Sequence, residues 1–361
     1  MKLEMELRAE SETLENNDNI KGESKREIGI DVLKGLGIIF VLLGHMIGIG
    51  FYEDISVYIY SFHMPLFFFI SGYLKYKKSS NLSVFQNIKK AAKHILLPYF
   101  ILFTISILFT ETVMSYIYTG HIFVVPLDWG EVLQAYFLSG GYLEKIPCQN
   151  FPLWYLPLFF IATIIFDLLV RNKKVEKFLP IIVLILIAVT VPFQNLIPGR
   201  PALHINVLPA GLAFMGLGYL FNKYIKNEKV PDLLAYVCLA IGILIASVNG
   251  GNISEINNVI YYVGAVCSIY FFYAITKDNN NKLLAYIGKN SLIIYGLHAL
   301  IFSTFAYTFI YRFFRDRFGA GIMLMVVQII YTLIISIGIC KIIDLIKSKL
   351  RRRKNKALKS A

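Results

Sequence analysis

The sequence carries little charge for its length, since only 16% of its 361 residues are Asp, Glu, Lys or Arg. A soluble globular domain has about 25% charged residues, so this composition excludes a soluble enzyme built on one large core. In place of charge the chain has long apolar runs, with 57% hydrophobic residues and a mean hydropathy of +0.61. Runs of this length predict a multi-pass membrane protein.

Cysteine is also scarce, and the four cysteines show neither metal-ligand nor redox spacing, so we predict no metal site. Three of them lie in or at the end of apolar runs, whereas Cys148 lies in a predicted loop. The alternating pattern of transmembrane strands is absent, which leaves helices as the spanning elements. We predict an all-α polytopic membrane bundle of about ten transmembrane helices, at approximately 33–52, 56–75, 95–118, 152–170, 178–193, 204–222, 232–248, 257–276, 291–311 and 321–344.

The chain divides into three predicted segments. Residues 1–29 form an acidic, disordered extension, residues 30–346 form the ten-helix membrane domain, and residues 347–361 form a basic tail. Lys and Arg are concentrated between alternate spans, which predicts a multi-pass cell-membrane protein with both termini in the cytoplasm. The net charge of +13 is therefore attributed to membrane topology and not to a nucleic-acid partner.

Ionisable side chains within the predicted spans are the strongest functional signal. His45 follows Lys34 by eleven residues, which brings both side chains to one face of the first helix, about 16 Å apart along its axis. His63 lies in the next apolar run. Such groups cost about 2.5–3.5 kcal/mol for Lys or Asp at the centre of a span, and usually face a bundle interior or a wet cavity.

The alternating directions of the helices predict the depth of each group. His45 and His63 are expected at one level in the outer half of the membrane, and His298 in the inner half, nearer Lys34. The result would be a buried polar column with a cation near the cytoplasm and imidazoles further out. Imidazole can take a proton from a hydroxyl group, and lysine binds phosphate as a point charge, so the column suits group transfer across the bilayer.

Four sequence blocks resemble the integral-membrane acyltransferase-3 family, the O-acyltransferases of surface sugars, and most closely its fucose 4-O-acetylase-like branch. In family order the blocks are "DVLKGLGIIFVLLGH", "SFHMPLFFFISGYL", "PLWYLPLFF" and "NSLIIYGLHAL". The family's basic residue in the first block is often Arg, and here it is Lys34. The resemblance implies an acyl-CoA donor on the cytoplasmic side, as a co-substrate and not a bound cofactor, and an acceptor hydroxyl near the outer face.

We therefore predict an enzyme that moves an acetyl or other short acyl group from acyl-CoA to a hydroxyl of a cell-surface or lipid-linked saccharide. His45 would be the general base or a transient acyl carrier, and His63 would orient it or bind the acceptor. Lys34 would contact the CoA phosphates or the thioester carbonyl, and Asp31 would hold Lys34 from one turn away. The other predicted site residues are Tyr295 and His298 on the donor path, and Trp154, Ser71 and Glu111 on the acceptor side.

Several alternatives stay open. The same polar column would line the path of an exporter of a polysaccharide or lipid-linked sugar, or report pH in a non-catalytic sensor. The segment 119–151, with a short helix predicted at Glu131–Leu138, is either an acceptor-binding lid or a plain connector. Transfer of a larger acid such as succinate would need a further cation, for which Arg200 and the basic group at 312–317 are candidates.

Overall fold

The computed structural model describes residues 27–45, 53–77, 82–122, 128–138, 150–226, 231–319 and 321–360. Residues 1–26 of the predicted N-terminal extension and Cys148 lie outside the described residues. All regular secondary structure in the described part is helical, which confirms the all-α polytopic bundle. The helices are α1 (Ile28–His45), α2 (Glu53–Lys77), α3 (Val84–Thr119), α4 (Trp129–Leu138), α5 (Tyr155–Arg171), α6 (Lys173–Lys177), α7 (Leu179–Leu196), α8 (Leu208–Tyr224), α9 (Asp232–Asn249), α10 (Ile260–Thr276), α11 (Lys282–Lys289), α12 (Ser291–Phe305), α13 (Phe309–Phe318) and α14 (Ile322–Ser360).

Eight helical segments in the described residues are long and apolar enough to cross a membrane. The helices α11 and α12 meet at an angle of 81° and would count together as a ninth span, while α10 is a shorter apolar helix of 17 residues. Each of the ten predicted spans overlaps one of these helical units. The helix predicted at Glu131–Leu138 is present as α4, and α14 continues as a helix through the basic tail.

Glycine allows α2 and α8 to pack closely behind the functional site. A Cβ atom at Gly72 would collide with the backbone carbonyl of Met215, and one at Gly218 would collide with that of Phe69. Small residues at such positions let helix backbones approach within a membrane, where van der Waals packing replaces the hydrophobic effect as the force between helices. The depth at which α2 sits in the bundle therefore depends on these two residues.

A second glycine pair joins α1 to α11. A Cβ atom at Gly35 would collide with the carbonyl of Leu284, and one at Gly288 with the carbonyl of Asp31. Each of these glycines is next in sequence to a lysine, Lys34 or Lys289. The close approach of the two backbones therefore brings two cations to the same region of the bundle.

Buried acidic residues connect the helix ends at one end of the bundle. Asp167 of α5 pairs with Lys75 at the end of α2 and with Arg171 at 3.0 Å, and it accepts a hydrogen bond from Asn87 of α3 at 3.1 Å. Lys226, after α8, pairs with Glu27 before α1. The basic loops that the sequence places on one side of the membrane therefore lie at one end of the structure.

Glu176 makes a similar connection between α6 and α8. It accepts hydrogen bonds from Lys173 at 2.9 Å, Lys223 at 3.0 Å and the Tyr219 hydroxyl at 2.9 Å. The hydrogen bond from Lys173, with those from Lys223 and Tyr219, lowers the pKa of the Glu176 carboxyl to about 2. The carboxylate therefore stays charged, and its pairing stays intact, throughout the physiological pH range.

The packing at Gly72 predicts that Gly72→Ala destabilises the bundle by about 1–3 kcal/mol or more, because the added methyl group meets backbone that cannot rotate away. Gly338→Ala is the matched control, since a Cβ atom there meets nothing within 4 Å. Thermal unfolding of the purified protein in detergent, followed by size-exclusion chromatography, measures both. Equal stability of the two variants would contradict the packing described.

Candidate functional site

Two cavities lined by described residues bring most of the predicted site residues together. The smaller, of about 310 Å³, is the lysine cavity, and it is lined by Lys34, Lys289 and residues of α2, α3, α5 and α12. The larger, of about 570 Å³, is the histidine cavity, and it is lined by His45, His63, His204 and neighbouring loops. Met64 and Tyr295 line both cavities, so they form the partition between them.

The lysine cavity is basic, and neither Asp nor Glu is among the described residues that line it. Lys34 comes from α1 and Lys289 from the bend between α11 and α12. His94 is contributed by a π-helical turn at Ala92–Leu96, a distortion that is frequent at functional sites. The Lys34 ammonium lies 3.6 Å from the Asp31 carboxylate, which is the contact expected for residues one helical turn apart.

The histidine cavity is built from the opposite ends of the same helices. His45 ends α1, Tyr60 and His63 lie in the first half of α2, and Trp154 precedes α5. Two loops complete the wall, at 199–204 between α7 and α8 and at 252–255 between α9 and α10. The histidine cavity is therefore polar, whereas the lysine cavity is basic.

Buried amides hold these two loops in place. The Gln194 side chain donates to the carbonyl of Ile253 at 2.9 Å and accepts from the amide of Ile256 at 2.8 Å, which fixes the second loop to α7. Asn206 donates to the carbonyl of Gly199 at 3.1 Å and closes the first loop. Both amide side chains are at least nine-tenths buried, so the cavity wall is a rigid part of the fold.

The tautomers of two buried imidazoles follow from their partners. Nδ1–H of His63 donates to the carbonyl of Ile59 at 2.8 Å, and Nδ1–H of His298 donates to the carbonyl of Tyr295 at 2.5 Å. A carbonyl has no proton to donate, so each neutral ring keeps its lone pair on Nε2. The ring of His63, with this lone pair, lines the histidine cavity. The Nε2 of His298 has no hydrogen-bond partner among the described residues.

His45 packs among these groups. Its ring centroid is 5.1 Å from that of His298 and 6.1 Å from that of Tyr60, and Tyr60 in turn packs against His63 at 4.9 Å. The Tyr60 hydroxyl lies 3.4 Å from Nδ1 of His45, which is long for a hydrogen bond. His45 is half-buried and lines the cavity, so it faces the bundle interior and not lipid.

The predicted depth of His298 is wrong. The sequence interpretation places it in the inner half of the membrane near Lys34, whereas the structure places it against His45. The reason is the 81° bend before α12. Because of this bend, Ser291 at the start of α12 already lines the lysine cavity, and two further turns carry His298 to the level of His45.

The other predicted site residues divide between the cavities. Ser71, predicted on the acceptor side, instead lines the lysine cavity together with Lys34. Trp154 lines the histidine cavity, and Tyr295 lies at the partition, where its hydroxyl donates to the carbonyl of Pro152. Glu111 is among the lining residues of neither cavity and is buried in a π-helical turn at Thr110–Met114.

Sequence reasoning missed several lining residues. His204 was not singled out, although it was one of only six histidines and followed a Gly-Arg-Pro turn. His94 was not singled out either, and Lys289 was predicted only as one of the basic residues between spans. The basic residues Arg312, Arg315 and Arg317, considered as a substrate site, lie on the exposed helix α13 and line neither cavity.

Comparison with known proteins is consistent with this arrangement. A family profile described as an acyltransferase domain matches residues 27–341, which includes all of the helices that line the two cavities. The chain belongs to the integral-membrane acyltransferase-3 family. The family resemblance of the four sequence blocks is therefore confirmed.

Two curated relatives are both described as nodulation protein NolL. The one from Sinorhizobium fredii is 26% identical over 236 residues, which covers 62% of this chain and 57% of the relative. The one from Mesorhizobium japonicum is 34% identical over 85 residues, covering 21% of this chain and 23% of the relative. The matched region therefore spans little more than half the length of the first relative and about a quarter of the second.

The positions of the two cavities predict that they open to opposite sides of the membrane. In a cysteine-free background, Arg200→Cys in the histidine cavity and Lys289→Cys in the lysine cavity replace exposed side chains. A membrane-impermeant maleimide should label Arg200→Cys in intact cells and Lys289→Cys only in inverted vesicles. Labelling of both from one side would contradict the arrangement.

Proposed function

We propose that this acyltransferase moves an acetyl or other short acyl group from acyl-CoA to a hydroxyl of a cell-surface or lipid-linked saccharide. The observation that carries the proposal is the meeting of two cavities at Met64 and Tyr295, one lined by cations and the other by imidazoles. A donor in one cavity and an acceptor in the other would place their reacting groups on either side of this partition.

The charge of the lysine cavity favours it as the donor site. The phosphates of CoA are anionic, and Lys34, Lys289 and His94 line this cavity without an acidic residue among them. The cavity also lies at the end of the bundle that carries the basic loops. By the positive-inside rule this end faces the cytoplasm, where acyl-CoA is found, so both termini would be cytoplasmic in the cell membrane.

The composition of the histidine cavity favours it as the acceptor site. Trp154 supplies an aromatic surface, and Asn252, Ser254 and Arg200 supply groups that hydrogen-bond to hydroxyls. A cavity of about 570 Å³ is large enough for a sugar residue of a longer glycan or glycolipid. The acceptor hydroxyl would point toward the partition, and the acyl group of the donor would lie on the other side of it.

The imidazoles then supply the proton transfer. The acceptor oxygen would attack the thioester carbonyl carbon as its proton passes to His45. The C–S bond would then break, and the His45 imidazolium would return that proton to the leaving CoA thiolate. The unpartnered Nε2 lone pair of His298 is an acceptor for the N–H of the resulting imidazolium. The hydrogen bond to Ile59 leaves His63 with an accepting Nε2, which would bind the acceptor through a second hydroxyl.

The assignment of His45 predicts that His45→Ala lowers the rate of acyl transfer by about 10²–10⁴-fold, the usual contribution of a general base. The measurement is transfer of radiolabelled acetyl from acetyl-CoA to surface glycan in membranes, with protein abundance determined in parallel. Full transfer by this variant at normal abundance would remove His45 from the mechanism. Export of glycan without consumption of acetyl-CoA by the wild type would favour the exporter instead.

The assignment of the donor site predicts that Lys289→Gln and Lys34→Gln each raise the KM for acetyl-CoA by about tenfold, because a charge–phosphate contact contributes about 1.4 kcal/mol or more. With an acetyl thioester that lacks phosphates, S-acetyl-N-acetylcysteamine, the same variants should match the wild type. Lys282→Gln, on the same helix α11 and outside the cavity, is the control. Equal losses with both donors would show that the lysines act on folding or on the thioester and not on phosphate.

A further inference from the structure

His204 differs from the other buried histidines of the site. Its side chain is 4% exposed, and its Nε2 has no hydrogen-bond partner among the described residues. The Nε2 of His298 is also unpartnered, but the rings of His63 and His298 are each anchored through Nδ1 to a backbone carbonyl. Buried polar groups in proteins are nearly always paired, so an orphaned imidazole calls for an explanation.

The backbone at this histidine is also unusual. Leu203 and His204 have φ values of 56° and 49°, so two successive residues with a Cβ atom adopt the left-handed conformation. This conformation is unfavourable for residues other than glycine, and such residues cluster at ligand-binding and catalytic sites. The hydrogen bond from Asn206 to Gly199 closes the loop around them and holds the strained residues in place.

The loop presents the His204 ring to the histidine cavity. The ring packs at a tilt against that of Trp154, with a centroid separation of 4.5 Å and an interplanar angle of 35°. Both residues line the cavity, as does the neighbouring Arg200. This contact with Trp154 fixes the plane of the imidazole. The direction in which Nε2 can form a hydrogen bond is therefore fixed as well.

We infer that His204 is an acceptor-binding residue, whose imidazole hydrogen-bonds to a hydroxyl of the acceptor sugar other than the one that is acylated. The inference rests on the proposed function, because it assigns the histidine cavity to a saccharide. A hydroxyl is the fitting partner, since it can donate to or accept from either tautomer of the ring. In this account the strained backbone is retained because it places the ring beside Trp154, and the missing partner is supplied by substrate.

The test compares two variants, each of which relieves backbone strain in this loop. His204→Gly removes the imidazole from the cavity and leaves a residue that favours positive φ, whereas Leu203→Gly relieves the adjacent strain and keeps the imidazole. The assay measures transfer from radiolabelled acetyl-CoA to the methyl glycosides of fucose, glucose and N-acetylglucosamine. Hydrolysis of acetyl-CoA without acceptor and thermal stability are measured alongside.

We expect His204→Gly to raise the KM for the acceptor by about tenfold or more, with acetyl-CoA hydrolysis within about twofold of the wild type and stability undiminished. Leu203→Gly should leave the acceptor KM unchanged. His204→Asn should recover part of the affinity, because asparagine tolerates positive φ and can hydrogen-bond to a hydroxyl. An unchanged acceptor KM in His204→Gly, or an equal rise in Leu203→Gly, would overturn the inference.

A binding measurement separates this inference from the proposed function. The chain has two tryptophans, so Trp129→Phe leaves Trp154 as a single fluorescent reporter beside His204. A saturable change in its fluorescence on addition of the glycosides, lost in His204→Gly, would support acceptor binding even if no acyl group were transferred. Transfer by the wild type with a fluorescence change that persists in His204→Gly would overturn the role of His204 and leave the proposed function intact. The role of His204 would also be overturned if none of the glycosides caused a saturable change in the fluorescence of the wild type.

Discussion

The structure depends on keeping the polar side chains of α1, α2 and α12 away from lipid. An unsatisfied polar group in the hydrocarbon costs several kcal/mol, so Asp31, His63 and His298 must be enclosed by other helices. All three are at least nine-tenths buried. Glycine makes this enclosure possible, because α1 meets α11, and α2 meets α8, at distances that no larger residue permits.

The same enclosure separates the two cavities. Lys34 and His45 share one face of α1 but lie eleven residues apart, so each faces a different cavity, and the gap between them is closed by Met64 and Tyr295. A continuous polar channel would leak water and ions across the membrane. In the proposed function, a partition made of a thioether side chain and an aromatic ring would allow a small acyl group to pass between a donor site and an acceptor site.

Helical periodicity predicted much of this arrangement. It placed Lys34 and His45 on the interior face of the first helix, and the alternation of spans brought His63 to the level of His45, because both arguments need only the rise and rotation of a helix. The depth of His298 was wrong for the converse reason. It depends on an 81° bend between α11 and α12, next to the close contact of Gly288 with α1, and helical periodicity does not report such a bend.

Loop residues were the least predictable part of the site. His204 lines the cavity only because Leu203 and His204 adopt a conformation that their residue types disfavour, so no propensity could have indicated it. Ser71 was assigned to the acceptor side although it lies two turns beyond His63 toward the lysine cavity. Its helix was identified correctly, but the position of the partition within the bundle could not be derived from the sequence.

The central claim is that donor and acceptor react across a partition from opposite sides of the membrane. Proteoliposomes with uniformly oriented protein test it directly, with radiolabelled acetyl-CoA supplied only at the lysine-cavity side and a membrane-impermeant glycan only at the other. The account predicts label on the glycan. Labelling only when both substrates are supplied on the same side would contradict it.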